Sequence, residues 1–193
     1  MRKDGGGERV HKVLIMGYKA SELGIFSLKH KGIDIIKKAV TKQVIALIDD
    51  GLEWVIVSGQ WGVELWAAEA VLELKETYGQ LRLAVITPFL DQEENWSDEK
   101  KSRYQAVLKQ ADYVNSISKS KYDGPWQFKE KNKFLLRNSD GMILLYDEEQ
   151  DGSPKYIKEQ ALRLSQLRSY PIVSVTAADL QSIADDEAQS DYF

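Results

Sequence analysis

The feature that most constrains the fold of this chain is an alternation of short strand-like runs with longer segments of helical periodicity. Six runs of strand length, of which 112–117 is the least apolar, predict strands at 11–16, 53–58, 81–87, 112–117, 142–146 and 171–175. The intervening segments predict helices at 33–47, 62–78, 97–111, 125–138, 153–168 and 178–184. Repeated strand–helix units join parallel strands. The sequence therefore predicts an α/β fold, a Rossmann-like, doubly wound, mainly parallel sheet flanked by helices on both faces.

Length and composition fit one globular domain. The chain has 193 residues, of which 43% are hydrophobic and 29% charged, and these are ordinary values for a globular protein. No linker or low-complexity segment divides it, so we expect a single domain at 11–183. The glycine-containing segment 1–10 is expected to be a flexible lead-in, and the acidic segment 184–193 a frayed C-terminal tail.

Charge and residue counts argue against several classes of partner and site. The formal net charge is −4, which argues against nucleic acid as a partner because DNA-binding domains are usually basic. The chain has no cysteine and two histidines, so we predict no disulfide and no metal site held by thiolate or histidine, and magnesium held by carboxylates is the alternative left open. It contains neither the run of about 18 apolar residues needed for a membrane span nor an apolar signal sequence, and a cytoplasmic location is expected.

The glycine-containing turn after the second predicted strand is the strongest candidate for a ligand site. In open parallel sheets, ligands bind at the carboxyl ends of the strands. Here Ser58, Gly59 and Gln60 lead into Gly62, where a helix is predicted to begin. Glycines allow a close backbone approach, and a helix N-terminus attracts phosphate. Glu64 is expected to accept hydrogen bonds from ribose hydroxyls, although favourable interaction with the helix dipole also explains a glutamate there.

The loop after the first predicted strand is a second candidate. Gly17 follows the strand directly, Tyr18 is a possible stacking partner for a base, and Lys19 a possible phosphate contact. The alternative is a surface turn whose apolar residues fold back onto the core.

Aromatic residues follow the third predicted strand. Pro88 ends that strand, and Phe89 and Trp96 are expected to wall a pocket of the size of a base. An equally simple interpretation is that these rings cover the edge of the core.

The last candidate loop comes after the fifth predicted strand. It runs from Asp147 to Gly152 and Ser153, and the helix that follows offers another N-terminus to an anion. Capping alone also explains Ser153, since serine is a preferred N-cap and proline a preferred first helical residue.

Basic residues recur on the fourth predicted helix. Lys129, Lys133 and Arg137 are spaced by four residues, with further lysines nearby at Lys119, Lys121 and Lys131. A solvated helix face is the usual explanation of such a stripe, and contact with phosphates is the alternative.

Several ordered motifs resemble the YpsA-like family of the SLOG superfamily, which also contains DprA and the LOG phosphoribohydrolases. They are MGYKASELGIF, GLEWVIVSGQWGVELWAAEA, AVITPF, QFKEKNKF, SDGMILLYD and GSPKY. The resemblance covers roughly residues 13–180. It implies a Rossmann-like fold and a nucleotide or nucleotide-derived ligand. Lys131-Asn132-Lys133 resembles the Arg-Asn-Arg triplet of DprA, with both arginines replaced, so Asn132 joins the candidate site.

The resemblance leaves several functions open. The leading hypothesis is binding or sensing of a nucleotide, NAD or ADP-ribose-like ligand in a regulatory role, and the family has been associated with bacterial cell division. A LOG-like N-glycosidase would use Glu64 as its carboxylate, but the chain lacks the full PGGxGTxxE motif at Asp147 and Gly152-Ser153, so a non-enzymatic role is favoured. Two further hypotheses are a DprA-like module for single-stranded DNA and a protein-interaction regulator with a decayed pocket.

Overall fold

The protein is described by a computed structural model that covers residues 9–190. The described strands are β1 (Lys12–Gly17), β2 (Trp54–Val57), β3 (Arg82–Thr87), β4 (Tyr113–Ser116), β5 (Gly141–Leu145) and β6 (Ile172–Val175). The described helices are α1 (Lys31–Asp49), α2 (Val63–Lys75), α3 (Asp98–Gln110), α4 (Trp126–Arg137), α5 (Pro154–Ser165) and α6 (Ala177–Ser190). Strands and helices alternate, as the sequence predicts.

The six strands form one parallel sheet in the order β4-β3-β2-β1-β5-β6. The chain moves outward from β1 to β4 and then crosses back to β5 on the other side of β1. Strand order therefore reverses between β1 and β5. In sheets of this kind such a reversal opens a crevice at the carboxyl ends of the two strands.

Helices cover both faces of the sheet. Helices α1, α2 and α3 pack side by side on one face, with α6 against α1, whereas α4 and α5 pack together on the other face. The inner strands are apolar on both sides because both sides are covered, and β5 is buried along its whole length. This arrangement confirms the predicted Rossmann-like fold.

The ordered structure extends beyond the predicted domain bounds at both ends. Val10, predicted to lie in the flexible lead-in, is buried in the core, while residues 1–8 lie outside the described part of the chain. At the other end, residues 184–190 of the predicted frayed tail belong to α6. An ion pair between Glu187 and Lys38 of α1 holds the later turns of α6, and residues 191–193 lie outside the described part.

The described residues include neither a helix suited to crossing a membrane nor a cluster suited to holding a metal ion. None of the helices within 9–190 has the length and hydropathy required to cross a membrane. The same residues contain no cluster of three or more histidine, cysteine, aspartate or glutamate side chains suited to holding a metal ion.

Candidate functional site

A cavity of about 440 Å³ opens where the strand order reverses. Its size lies within the range of small-molecule sites. The end of β1, the start of α2, the middle of α4 and the first turns of α5 supply its walls. The side chains and backbone that line it are those of Met16, Gly17, Lys19, Gln60, Glu64, Pro125, Phe128, Lys129, Lys131, Asn132, Ser153, Pro154, Tyr156, Ile157 and Gln160. We call this space the central cavity.

Glu64 is a buried carboxylate in the wall of the central cavity. Its exposed fraction is 1%, so nearly all bulk water is excluded from it. One carboxylate oxygen, Oε2, accepts a hydrogen bond from the backbone N–H of Ser58 at 2.8 Å and another from the Ser58 hydroxyl. The other oxygen, Oε1, is buried and accepts no hydrogen bond from the described residues. A buried acceptor without a donor is costly, so Oε1 is suited to a donor group of a ligand.

Lys131 lies on the opposite side of the same serine. Its side chain is almost fully buried, and its Nζ donates a hydrogen bond to Ser58 Oγ at 3.4 Å. Burial lowers the pKa of Lys131; the Glu64 carboxylate opposes this shift and the Lys19 ammonium adds to it. The Ser58 hydroxyl therefore connects a buried amine to a buried carboxylate.

Lys131 was grouped by its sequence position with the solvated basic residues of α4, and this interpretation is wrong. Lys129, Lys133 and Arg137 are indeed exposed. Lys131, however, is two residues out of step with that stripe and shares a face with Gln127 and Leu135, both fully buried. The four-residue spacing of Gln127, Lys131 and Leu135 was the signal that could have identified Lys131 as an inward-facing lysine.

Asn132 also lines the central cavity and carries a second unpaired acceptor. Its side-chain oxygen Oδ1 is buried and accepts no hydrogen bond from the described residues. Asn132 was predicted to belong to the site through its place in the Lys-Asn-Lys triplet, and the structure places it beside Lys131 on the cavity wall.

The turn that was expected to bind phosphate is occupied by the chain's own backbone. At the start of α2, the N–H of Val63 donates to Tyr18 O at 3.1 Å and the N–H of Leu65 donates to Gln60 O at 3.3 Å. These are two of the first-turn donors that a helix N-terminus would offer to an anion. Glu64 also places a negative charge beside this turn. The cavity therefore presents an acceptor at this point rather than the predicted phosphate cradle.

The glycines near the cavity are required by close packing. A Cβ on Gly17 would lie 2.5 Å from Val63 Cγ1, so β1 and α2 can approach only because Gly17 has no side chain. Gly59 has a φ of +72°, and a Cβ there would lie 3.0 Å from Tyr104 and from Val85. Gly17 therefore shapes the wall of the central cavity, whereas Gly59 permits close packing beside Tyr104 and Val85 without lining either cavity.

Tyr18, the expected stacking partner for a base, lies outside the central cavity. Its side chain is 2% exposed, and its hydroxyl donates to Gln150 O at 2.5 Å and accepts from the N–H of Asp147 at 3.1 Å. Gly152 packs over the ring, since a Cβ there would lie 2.5 Å from Tyr18 Cε1. Tyr18 therefore fastens the loop after β5 instead of presenting its ring to a ligand.

The N-terminus of α5 is occupied by a glutamate that no sequence motif singled out. The N–H and Oγ of Ser153 donate to the Glu22 carboxylate at 2.8 and 2.9 Å, and the N–H of Lys19 donates to the same carboxylate at 2.7 Å. Glu22 therefore stands where an anion was expected. Ser153 lines the cavity, but its hydroxyl is already paired.

Asp147, also predicted to contact a ligand, does not line the cavity. Its carboxylate accepts hydrogen bonds from the N–H of Glu149 at 2.9 Å and of Ala177 at 3.1 Å. Both bonds lower the pKa of Asp147, and the bond from Glu149 has the larger effect. The side chain joins the β5 loop to the first residue of α6.

The predicted aromatic wall surrounds a neighbouring cavity of about 350 Å³, which we call the aromatic cavity. Phe89 and Trp96 line it. Pro88 is buried and accepts a backbone hydrogen bond from Ser118 at 3.1 Å without lining either space. Three residues line both cavities, so the two spaces adjoin: they are Lys19, Gln60 and Phe128.

Comparison with known proteins identifies the family of this chain. The sequence pattern of the YspA SLOG family (YpsA) matches residues 13–180. The chain belongs to this family. A UPF0398 protein of Lysinibacillus sphaericus is 52% identical over 179 residues, covering 93% of this chain and 100% of the relative. A UPF0398 protein of Brevibacillus brevis is 50% identical over 181 residues, covering 94% and 96%.

A solved structure shares the fold of this family member. DNA processing protein A from Helicobacter pylori, described for its mode of binding single-stranded DNA, superposes with a TM-score of 0.51 at 17% sequence identity. The match covers 84% of this chain and 64% of the length of that structure. At this level of identity the likeness concerns the fold.

This comparison corrects the prediction that argued against nucleic acid as a partner. A protein described for binding single-stranded DNA has the same fold, so the prediction that nucleic acid is an unlikely partner is wrong. It rested on the net charge of −4, which averages over the whole sequence. The charge is unevenly distributed, because one carboxylate lines the two cavities together with four lysines: Lys19, Lys100, Lys129 and Lys131.

Proposed function

We propose that this chain binds a nucleoside phosphate in the central cavity and that Glu64 receives its sugar. The observation that carries the proposal is the unpaired Oε1 of Glu64, a buried carboxylate oxygen on a residue that lines the cavity. Ribose hydroxyls are donors that pair well with a carboxylate, and the cost of leaving Oε1 unpaired gives such a ligand an advantage over one without hydroxyls.

The lysines of the central cavity supply the complement to phosphate. Lys19, Lys129 and Lys131 line it, against the single carboxylate of Glu64. Of these, Lys131 is the most deeply buried, and its only described hydrogen bond is the long one to Ser58. An anion beside it would gain a strong attraction, because electrostatic interactions are less screened where water is excluded.

The rim of the central cavity offers flat surfaces for a base. Phe128 and Tyr156 line it and are 36% and 61% exposed. Aromatic rings stack on bases with little dependence on base identity. The orphan oxygen of Asn132 is suited to an exocyclic amine or another hydroxyl. In this proposal the buried Glu64 and Lys131 recognise sugar and phosphate, and the exposed rings of Phe128 and Tyr156 stack on the base.

Ligand-dependent thermal unfolding tests the proposal. At about 100 times its Kd, a single-site ligand raises the free energy of unfolding by about 2.7 kcal/mol. For a chain of this size we expect a Tm increase of roughly 5–10 °C with at least one of AMP, ADP, GMP, NAD, ADP-ribose and the cyclic nucleotides. A flat response to every compound would overturn the proposal. Chromatography of the same mixtures distinguishes a sensor, which returns the ligand intact, from an N-glycosidase.

Single-stranded DNA is the second candidate ligand. It is favoured by the fold shared with the DNA processing protein of Helicobacter pylori and by the exposed cations on α4, Lys129, Lys133 and Arg137. Proteins that bind single strands combine a cationic groove with aromatic stacking surfaces. Trp126 and Phe128, both partly exposed on the same helix, provide such surfaces.

Fluorescence anisotropy of labelled oligothymidine separates the two candidates. If the chain binds DNA, affinity falls steeply with added salt, and Lys133→Gln with Arg137→Gln weakens DNA binding while AMP binding is unchanged, because neither residue lines the central cavity. The matched control is Lys109→Gln, an exposed lysine of α3. Unchanged anisotropy at low salt, together with a Tm increase with AMP, would exclude DNA as the ligand and support the nucleoside phosphate.

A further inference from the structure

The aromatic cavity adjoins the central cavity, because three residues line both spaces. Lys19, Gln60 and Phe128 line both spaces. A ligand held at Glu64 and Lys131 therefore lies next to a second space of about 350 Å³, with Lys19 lining both. That volume alone lies near the lower end of the range for small-molecule sites.

The lining of the aromatic cavity differs chemically from that of the central cavity. Its walls include the rings of Trp61, Phe89 and Trp96, together with Phe26, which is 75% exposed. Of the residues that the structure describes, two lysines line it, Lys19 and Lys100, and no carboxylate does. The Lys100 Nζ lies 5.2 Å from the centre of the Trp61 ring. Flat apolar faces beside cations suit a planar ring attached to a phosphate.

The two cavities therefore fit the two halves of one molecule. The central cavity carries buried hydrogen-bond acceptors and an amine, which suit a ribose phosphate, whereas the aromatic cavity carries stacking surfaces. Lys19 lines both and is placed for phosphates that join the halves. Building on the function proposed above, we infer that the ligand is of the dinucleotide type, with two ring-bearing halves joined through phosphates, and that its second ring lies against Trp61, Phe89 and Trp96.

Four probes test the inference on the full chain. AMP carries one base and one phosphate. ADP-ribose adds a second phosphate and a second sugar but no second base. NAD and diadenosine diphosphate carry a second base, nicotinamide or adenine, and are the two-ring compounds of the test. Base–aromatic stacking corresponds to roughly tenfold in affinity, so at least one two-ring compound is expected to bind about tenfold more tightly than ADP-ribose. The same compound is expected to quench tryptophan fluorescence. The amplitude of this quenching is expected to be smaller in Trp61→Phe, because Trp61 lines the aromatic cavity.

Substitutions assign the effect to the aromatic cavity. Phe89→Ala is expected to lower the affinity for the two-ring compound about tenfold. It is expected to leave the affinity for AMP unchanged, because Phe89 lines only the aromatic cavity. Phe26→Ala, at a ring that is 75% exposed, provides a second test that does not depend on core packing. Phe134→Ala is the matched control, since this partly exposed ring lines neither cavity.

Each result has one meaning. If AMP binds but neither two-ring compound binds more tightly than ADP-ribose, the inference is overturned and the proposed function stands. The inference is also overturned if the tighter binding survives in both Phe89→Ala and Phe26→Ala. If none of the four compounds binds, the proposed function and the inference fall together.

Discussion

Glu64→Gln is expected to lower the affinity for the proposed nucleoside phosphate roughly 10- to 100-fold while the fold is retained. Hydrogen bonds to a charged partner contribute about 1.5–3 kcal/mol. Glutamine keeps the shape and one oxygen, so the bond from the Ser58 N–H can persist. Its amide nitrogen then takes the place of Oε1 and offers a donor where the ligand requires an acceptor.

The measurement is the Tm shift produced by AMP, with calorimetric titration to obtain Kd. Glu73→Gln is the matched control, because Glu73 is on the same helix with its side chain 68% exposed and pairs with Lys37. Circular dichroism of the ligand-free variant verifies that α2 is intact. A Glu64→Gln protein that is folded and binds AMP with unchanged affinity would show that Glu64 does not receive the sugar.

Gly62→Ala is expected to lower the free energy of unfolding by about 3 kcal/mol or more. Gly62 has a φ of +140°, in a region that residues with a side chain rarely adopt. A Cβ there would lie 2.5 Å from Tyr18 O and 2.6 Å from Ala20 N. Both are backbone atoms, held by the antiparallel bridge between Lys19 and Gly62, so neither can move aside cheaply.

The expected Tm decrease is about 6–12 °C, at roughly 2–4 °C per kcal/mol for a chain of this size. Gly79→Ala is the control, because a Cβ at this exposed glycine would meet nothing within 4 Å. We expect its Tm to change by no more than about 2 °C, since surface substitutions usually alter stability by about 0.5 kcal/mol or less. Equal Tm values for the two variants would contradict the close packing of Gly62 against the β1 loop.

The fold was predictable because its determinants are local and periodic. Apolar runs bounded by glycine or proline marked the strands, and the spacing of apolar residues marked the helices. Element bounds shifted by only a few residues, except at α6, where the extra turns depend on contact with α1, which has no local sequence signal. Burial of Val10 likewise depends on tertiary packing.

The site was predictable only in its location. Loops at the carboxyl ends of β1, β2 and β5 do converge on one cavity, as parallel topology requires. The roles of individual residues within those loops depend on partners distant in sequence. Glu22 reaches a serine 131 residues away, and Tyr18 a backbone carbonyl 132 residues away. Residue type suggested a stacking tyrosine, whereas tertiary contacts bury it.

If the proposed phosphate-bearing ligand binds in the central cavity, the inward-facing amine of Lys131 links its binding to the uptake of a proton. Burial holds the pKa of this amine below its ordinary value. A phosphate bound beside it raises that pKa again, so in the pH range between the free and bound values the ligand enters together with a proton taken from solvent. Affinity then falls as the pH rises through the pKa of the free protein, and the heat of binding varies with the ionisation enthalpy of the buffer. Under the proposed function, we therefore expect ligand affinity to depend on pH.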